Sequence, residues 1–446
     1  MGAYLTLATL RQEFSEKIGD WFTGTTTGAG STTTAVCSDM AGLSYLPEPA
    51  VKNRWILLTS GTYSGSVRPI SGFTASSGTI TWQTALAGAS GNAVTFEIHR
   101  IDPRSKLAAL NMARRRASEY LFRSIVDVGN VTGSLIFNGG FVHWSSSTVP
   151  LGWRVSTATL AREAAHLTGG SVLLKTLAGS LDTYIQPYFP IRMSTTDLVT
   201  AGTMSMYADV RTGAASNARI YINTGTPGDS YYSDYHSGDD GWTQLKLENK
   251  SITKNINTFF FSLNTETTTS AQFTNVYSQG GPQVWQYAVP NTYIGSPSQI
   301  RVATTSELTR KGGAGLDYLP VTSWDFIQDT LALAEDETAL TTGLIQFKGT
   351  RPLDGYRMQW FGKGLLSSVS ADTDSMEVDN DTSPYLYAWA KHLLFLRLAS
   401  TPAPVEVLDR YKRMAEEGWA EVEAMEGAMR NVSPPVPAGP YPVRFG

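Results

Sequence analysis

The hydrophobic period changes twice along this chain, and no single layer can serve both periods. From Val131 to about Pro290, runs rich in Tyr, Phe, Thr and Val alternate with Gly, Ser and Asn turns. Gly202 to Val210, Ala218 to Ile222 and Thr258 to Leu263 are examples. Short strands at this regular spacing specify an antiparallel β-sandwich. On either side the apolar residues recur at three- and four-residue steps instead. Leu7, Leu10, Phe14, Ile18 and Trp21 predict a helix with Thr6 as its N-cap. Asp102-Pro103 predicts a second helix that carries Leu107, Leu110, Ala117, Leu121, Ile125 and Val128 until Gly129-Asn130 stops it. Ser383-Pro384 opens a third, apolar on most sides, and Val405 to Met429 forms the last. Each helix exposes an apolar stripe that it cannot bury alone, so the two chain ends are expected to share one helical core.

Smaller elements fill the gaps. Trp55 to Thr59, Ser66 to Ile70, Gly78 to Trp82 and Ala93 to Ile98 form a small meander, with Pro69 confining its strand to an edge or a bulge. Trp324 to Leu331 reads as a short amphipathic piece. Gly343 to Lys348 and Tyr356 to Phe361 read as a hairpin. The expected class is α+β: a helical body from both chain ends plus the small β module, with an inserted antiparallel sandwich of jelly-roll type. The expected limits are 1–130, 131–295, 296–432 and an extended Pro-rich arm at 433–446.

Composition removes several function classes. The chain has 35 Lys and Arg against 39 Asp and Glu, a net charge of −4, which excludes a uniformly basic nucleic-acid coat. One cysteine, Cys37, excludes an intramolecular disulfide framework. No apolar run reaches the roughly 18 residues of a spanning helix, and no membrane partner is expected. The phosphate-loop, His-Glu-x-x-His and Gly-x-Ser-x-Gly patterns are missing, and the five histidines have no metal-ligand spacing. Asp239-Asp240 reads as a hydrated turn rather than half of a glycosidase carboxylate pair. No enzyme, metal or cofactor is expected.

Two groups of residues remain as contact candidates. Trp153, Trp242, Tyr231, Tyr232 and Tyr235 could stack on sugar rings, with the run Gly228 to His236 supplying acids beside aromatic rings. Arg114, Arg115, Arg116 and Arg123 gather positive charge on the second helix and could meet nucleic acid or an acidic protein.

Two resemblances sharpen these expectations. Asn138-Gly139-Gly140-Phe141 with Trp144, then Pro150-Leu151-Gly152-Trp153 and the later Gly241-Trp242-Thr243-Gln244-Leu245, resembles the carbohydrate-binding jelly-roll modules. The family often holds a structural calcium through acids near both ends; here Val142 and Asn275 stand at such positions and supply no carboxylate. The N-terminal helix with Thr59-Ser60-Gly61, Ser64-Gly65, Val67-Arg68 and Gly72-Phe73 is similar to a small β module of tailed-bacteriophage structural proteins. Tyr385 to Arg430 is similar to the closing helices of phage head-to-tail adaptors. This second resemblance implies a virion neck protein that docks on the portal protein, contacts tail proteins and self-assembles as a ring, a dodecamer, around packaged DNA. Arg114, Arg115, Arg116 and Arg123, with Tyr441, Arg444 and Phe445 of the arm, would then face portal or DNA lumen. The alternative is a glycan-binding adhesin of the tail or capsid surface.

Overall fold

The computed structural model describes residues 4–42, 48–144, 148–155, 159–163, 172–176, 183–187, 203–223, 230–251, 260–266, 269–280, 286–306, 317–327, 341–348 and 353–432. The C-terminal arm, with Tyr441, Arg444 and Phe445, lies outside them. Strand makes up 39 % and helix 23 %, so β-sheets dominate, sandwich-like sheets among them, and helices are few. The described residues divide into two compact units, one within 4–123 and 365–432 and the other within 124–364.

The first unit contains helices α1 (Leu7–Lys17), α2 (Pro103–Arg116), α3 (Ser383–Ala399) and α4 (Val405–Val432). Thr6 caps α1 by accepting from the Thr9 N–H, and Asp102 caps α2 by accepting from that of Arg104. One hydrophobic core takes Leu7, Leu10 and Phe14 from α1, Ala109, Leu110 and Ala113 from α2, Leu386 and Leu394 from α3 and Val422 from α4. Both ends of the chain therefore supply this core. Beside it lies a six-stranded sheet, in the order 22–25, 95–99, 55–58, 67–74, 79–82, 34–36, with its own core around Ile56, Ile80, Trp82, Phe96 and buried Cys37. Pro69 sits inside this sheet rather than on its edge. Its strand pairs with 55–58 through Val67–Pro69 and with 79–82 from Ile70 onward, and the register shifts between Ile70 and Gly72.

Helix α2 ends earlier than its apolar spacing suggests. A 3-10 turn follows at Ala117–Glu119, and Arg123–Val131 is a strand. Ser124 and Val126 are exposed while Ile125 and Asp127 are buried, which is the two-residue period of a sheet edge.

In the second unit two five-stranded antiparallel sheets form a sandwich. Their orders are 159–163, 172–176, 271–280, 203–211, 243–251 and 230–232, 218–223, 260–265, 183–187, 153–155. Met204, Met206, Ala208, Val210, Leu245 and Phe273 of one sheet share a core with Ile220, Ile222, Phe261 and Leu263 of the other. The strands do not stop near 295. Residues 299–306, 318–320 and 356–364 join 123–131 in a four-stranded sheet, and 286–290, 341–347 and 324–327 form a three-stranded one. The unit thus runs to Gly364. Of the expected amphipathic piece, Trp324–Ile327 is a strand and 328–331 lie outside the described residues. The expected hairpin is also absent, because Thr341–Phe347 and Tyr356–Gly364 belong to different sheets.

Candidate functional site

The aromatic candidates separate into buried and rim residues. Trp153 is only 3 % exposed, its ring packs 5.1 Å from Phe141, and its indole N–H donates to the Asn138 carbonyl at 3.2 Å. Such a ring has no free face for a sugar, so Trp153 leaves the candidate set.

Tyr232 and Tyr235 come together, and Tyr231 does not join them. Ser230–Tyr232 is an edge strand paired with Ala218–Asn223, and Tyr232 lies directly across from Tyr221. Their rings stack at 4.3 Å with planes 20° apart. Arg219, two residues from Tyr221 on the same face, lies 3.9 Å from the Tyr232 ring centre and 4.7 Å from that of Tyr235. The result is a four-layer stack in the order Tyr221, Tyr232, Arg219, Tyr235. Glu266 holds the guanidinium by an ion pair. Both faces of Tyr232 are occupied by this stack, so its 44 % exposure presents the ring edge. Tyr231 turns the other way: it packs against the sandwich core, and its hydroxyl donates to the Ser251 carbonyl at 2.9 Å.

The loop that follows fixes a second aromatic. His236 is 1 % exposed; its Nε2 donates to the Gly241 carbonyl at 2.9 Å and its Nδ1 accepts from the Gly238 N–H at 3.0 Å. This bond closes the loop between Tyr235 and Trp242, both half-buried. Gly238 has a φ of +82°, and a Cβ there would stand 2.2 Å from the Ala215 nitrogen, so the turn admits only glycine. Asp239 accepts from the Gly241 N–H at 2.9 Å, which holds its carboxyl below the usual range. Asp240 meets Arg211 through two oxygens. The two acids are tied into the turn and do not face one another across a cleft.

Among the four arginines, Arg115 and Arg116 are exposed, while Arg114 and Arg123 are partly buried. Arg114 donates to the Leu366 carbonyl at 2.6 Å. No group of three or more His, Cys, Asp or Glu able to hold a metal occurs among the described residues. No helix among them is long and apolar enough to cross a membrane.

One buried arrangement gave no sequence signal. Asp127, His143 and Thr292 lie in line, with His143 Nε2 2.8 Å from the Asp127 carboxylate and Nδ1 2.6 Å from the Thr292 hydroxyl. Asp127 also accepts from the Gly129 N–H and the Asn130 side chain. It thereby ties strand Arg123–Val131 to the segment around His143.

No family model matches the chain, and no curated protein matches it. Some solved structures show a partial likeness. One is the enzymatically active domain of tailspike protein 4 of bacteriophage CBA120, at 9 % identity and TM-score 0.26 over 33 % of this chain and 21 % of that one. Another is TmCBM61 in complex with beta-1,4-galactotriose, at 13 % identity and TM-score 0.23 over 32 % and 97 %. A third is the Stig cyclase Fisc from Fischerella sp. TAU, at 12 % identity and TM-score 0.25 over 35 % and 100 %. The chain spans about a fifth of the tailspike domain. Likeness at this level carries no functional argument, and the sandwich stands on its own strand order.

Proposed function

We propose that this chain is a structural protein of a tailed-phage virion whose sandwich contacts glycans, with the helical unit as its mount. One observation carries the glycan part. Tyr235 lies against the Arg219 guanidinium beside the edge strand of the sandwich, with Asp234 next to it in the chain, and the bond from His236 to the Gly241 carbonyl closes the loop that leads from Tyr235 to Trp242. Rings that are already immobile lose little entropy when a sugar settles on them, and carboxylates alongside can accept from its hydroxyls. The phage setting rests on the sequence resemblances of both chain ends. The reading is of binding without catalysis, with Asp239 engaged by the Gly241 N–H and Asp240 by Arg211.

A bacterial glycan array tests it. The whole protein should bind a subset of glycans, and Trp242→Ala or Tyr235→Ala should reduce that binding at least tenfold without lowering the melting temperature. An array with no specific binder overturns the reading, and so does binding that survives both substitutions.

A second reading, the portal-docking neck adaptor, is favoured by exposed apolar side chains in the helical unit: Met112 at 48 %, Leu396 at 53 %, Val405 at 70 % and Trp419 at 40 % exposure.

A further inference from the structure

We infer that a cleft in the helical unit binds a small organic ammonium ion, a primary amine carried on an apolar body of about six heavy atoms. The inference does not rest on the glycan reading.

The cleft has a volume of about 100 Å³ and lies where α1, α2 and the neighbouring sheet meet. Leu7 of α1 and Leu107 and Leu110 of α2 supply apolar walls, and Leu57 and Val67 of the sheet close it. Leu57 and Val67 are directly paired across neighbouring strands, so both belong to one face of the sheet, and Arg68, paired with Ile56, belongs to the other. A cavity of about 150 Å³ holds benzene, so this cleft takes a single ring or a short chain.

Charge at the mouth selects the other end of the ligand. Arg11 and Asp372 line the cleft, and so does Arg104. The guanidinium of Arg11 is shared. It donates to Glu97 through Nε and Nη2 and to Asp372 through Nη1 and Nη2. One positive charge therefore meets two negative ones. Glu97 is the inner carboxylate, its side chain 10 % exposed, and Asp372 the outer one, at 31 %. Arg104 does not restore the balance, because both oxygens of Asp102 already hold it. Behind the cluster Lys106 and Asp20 cancel, and the His99 ring keeps a lone pair at Nδ1 to accept from Lys106. In the same turn as Asp372, Asp374 accepts from the N–H groups of Ser370 and Ala371. The charges around the mouth thus sum to a negative value, with a half-buried carboxylate at the edge of an apolar hollow. An anion is repelled there, and a neutral apolar molecule leaves the carboxylate without a counter-charge. An ammonium group on an apolar stem satisfies both features.

Ligand-observed NMR titration of the full-length protein with benzylamine, benzyl alcohol and benzoate tests the site, since these probes share a ring and differ in charge. Benzylamine should bind with a Kd of about 1 mM, the range open to so small a ligand. Benzyl alcohol should bind about fivefold more weakly, and benzoate more weakly still. Asp372→Asn should bring benzylamine to the affinity of benzyl alcohol, and Leu107→Trp, which fills the hollow, should remove the binding of both. Equal affinity for benzylamine and benzoate overturns the inference, as does benzylamine binding that survives Leu107→Trp, or none at about 10 mM. If a capped tripeptide with a central lysine binds as tightly as benzylamine, the cleft is a dock for a partner's lysine and the small-molecule assignment falls. Circular dichroism checks each variant; if one unfolds, the ranking of the probes on the natural protein decides.

Discussion

At the scale of single residues, the first unit is pinned by buried charge. Arg11 donates to Glu97 at 2.8 and 3.0 Å and to Asp372 at 3.0 Å, so one guanidinium ties α1 to a sheet strand and to the segment before α3. Nearby Lys106, fully buried, donates to Ser15 at 3.0 Å and to the ring of His99 at 2.9 Å, and pairs with Asp20 at 2.9 Å. Removing one partner strands the others, at a cost of about 3–5 kcal/mol for a buried pair. Arg11→Ala should lower stability by that amount in chemical denaturation, and a loss below about 1 kcal/mol would mean that solvent screens the pair. The same cluster sets a pH dependence. Burial pushes the Glu97 carboxyl up, but hydrogen bonds from His99 and Arg11 outweigh it and hold it at about 2. A carboxylate whose folded pKa is depressed contributes its full stability above its unfolded pKa, near 4.5, and loses it as pH falls toward 2. Melting temperature should therefore drop between about pH 4.5 and 2 more steeply in the natural protein than in Glu97→Gln. None of this could be read from the sequence, because Arg11, Glu97 and Asp372 are distant along the chain and each looks like an ordinary surface charge.

Between elements, packing decides which glycines are replaceable. Gly418 of α4 lies against α3, where a Cβ would stand 2.7 Å from the His392 nitrogen and 3.0 Å from its Cα. Gly427, on the same helix, has nothing within 4 Å. Alanine favours a helix by about 1 kcal/mol over glycine at either position. Gly427→Ala should thus stabilise by about 1 kcal/mol, whereas Gly418→Ala should destabilise by about 1–3 kcal/mol through overpacking. Equal effects in thermal melts would show that the two helices are not in close contact at Gly418. The helices themselves were legible: Thr6 and Asp102 cap where the local pattern places them, and Thr382, one residue before the expected Ser383, precedes α3. The strand at Arg123–Val131 was not. Leu121, Ile125 and Val128 fit a helical stripe as well as they fit a strand, and only a partner far along the chain selects the strand. The same ambiguity explains the false hairpin, since two neighbouring apolar runs carry no mark of which sheet each will join. Of the three tyrosines, Tyr232 and Tyr235 share the guanidinium of Arg219 and Tyr231 faces the core. The role of Arg219 was not legible, because its partners become neighbours only through strand pairing.

For the whole molecule, both chain ends supply one core, and the unit between them ends later than the sequence suggests, because 341–347 and 356–364 read as one hairpin while their strands join 286–290 and 299–306. The neck-adaptor reading is tested at this scale. Met112, Leu396, Val405 and Trp419 should become protected when the protein is mixed with portal, and a ring-sized complex should appear in light scattering. A mixture that stays as separate species at about 10 µM, a concentration at which a contact of ordinary affinity is formed, removes that reading.

The passage into the sandwich unit and the passage out of it are neighbours in one sheet. Thr132 exchanges hydrogen bonds with Tyr356 and Gly355, and a Cβ on Gly364 would touch Ile125. Seen from the helices, residues 124–364 begin and end at nearly the same point, so they impose little more closure entropy than a short loop would. Such an arrangement makes the inserted unit exchangeable: a different receptor domain with its ends equally close could be grafted there, and the remaining chain would fold around its core unchanged.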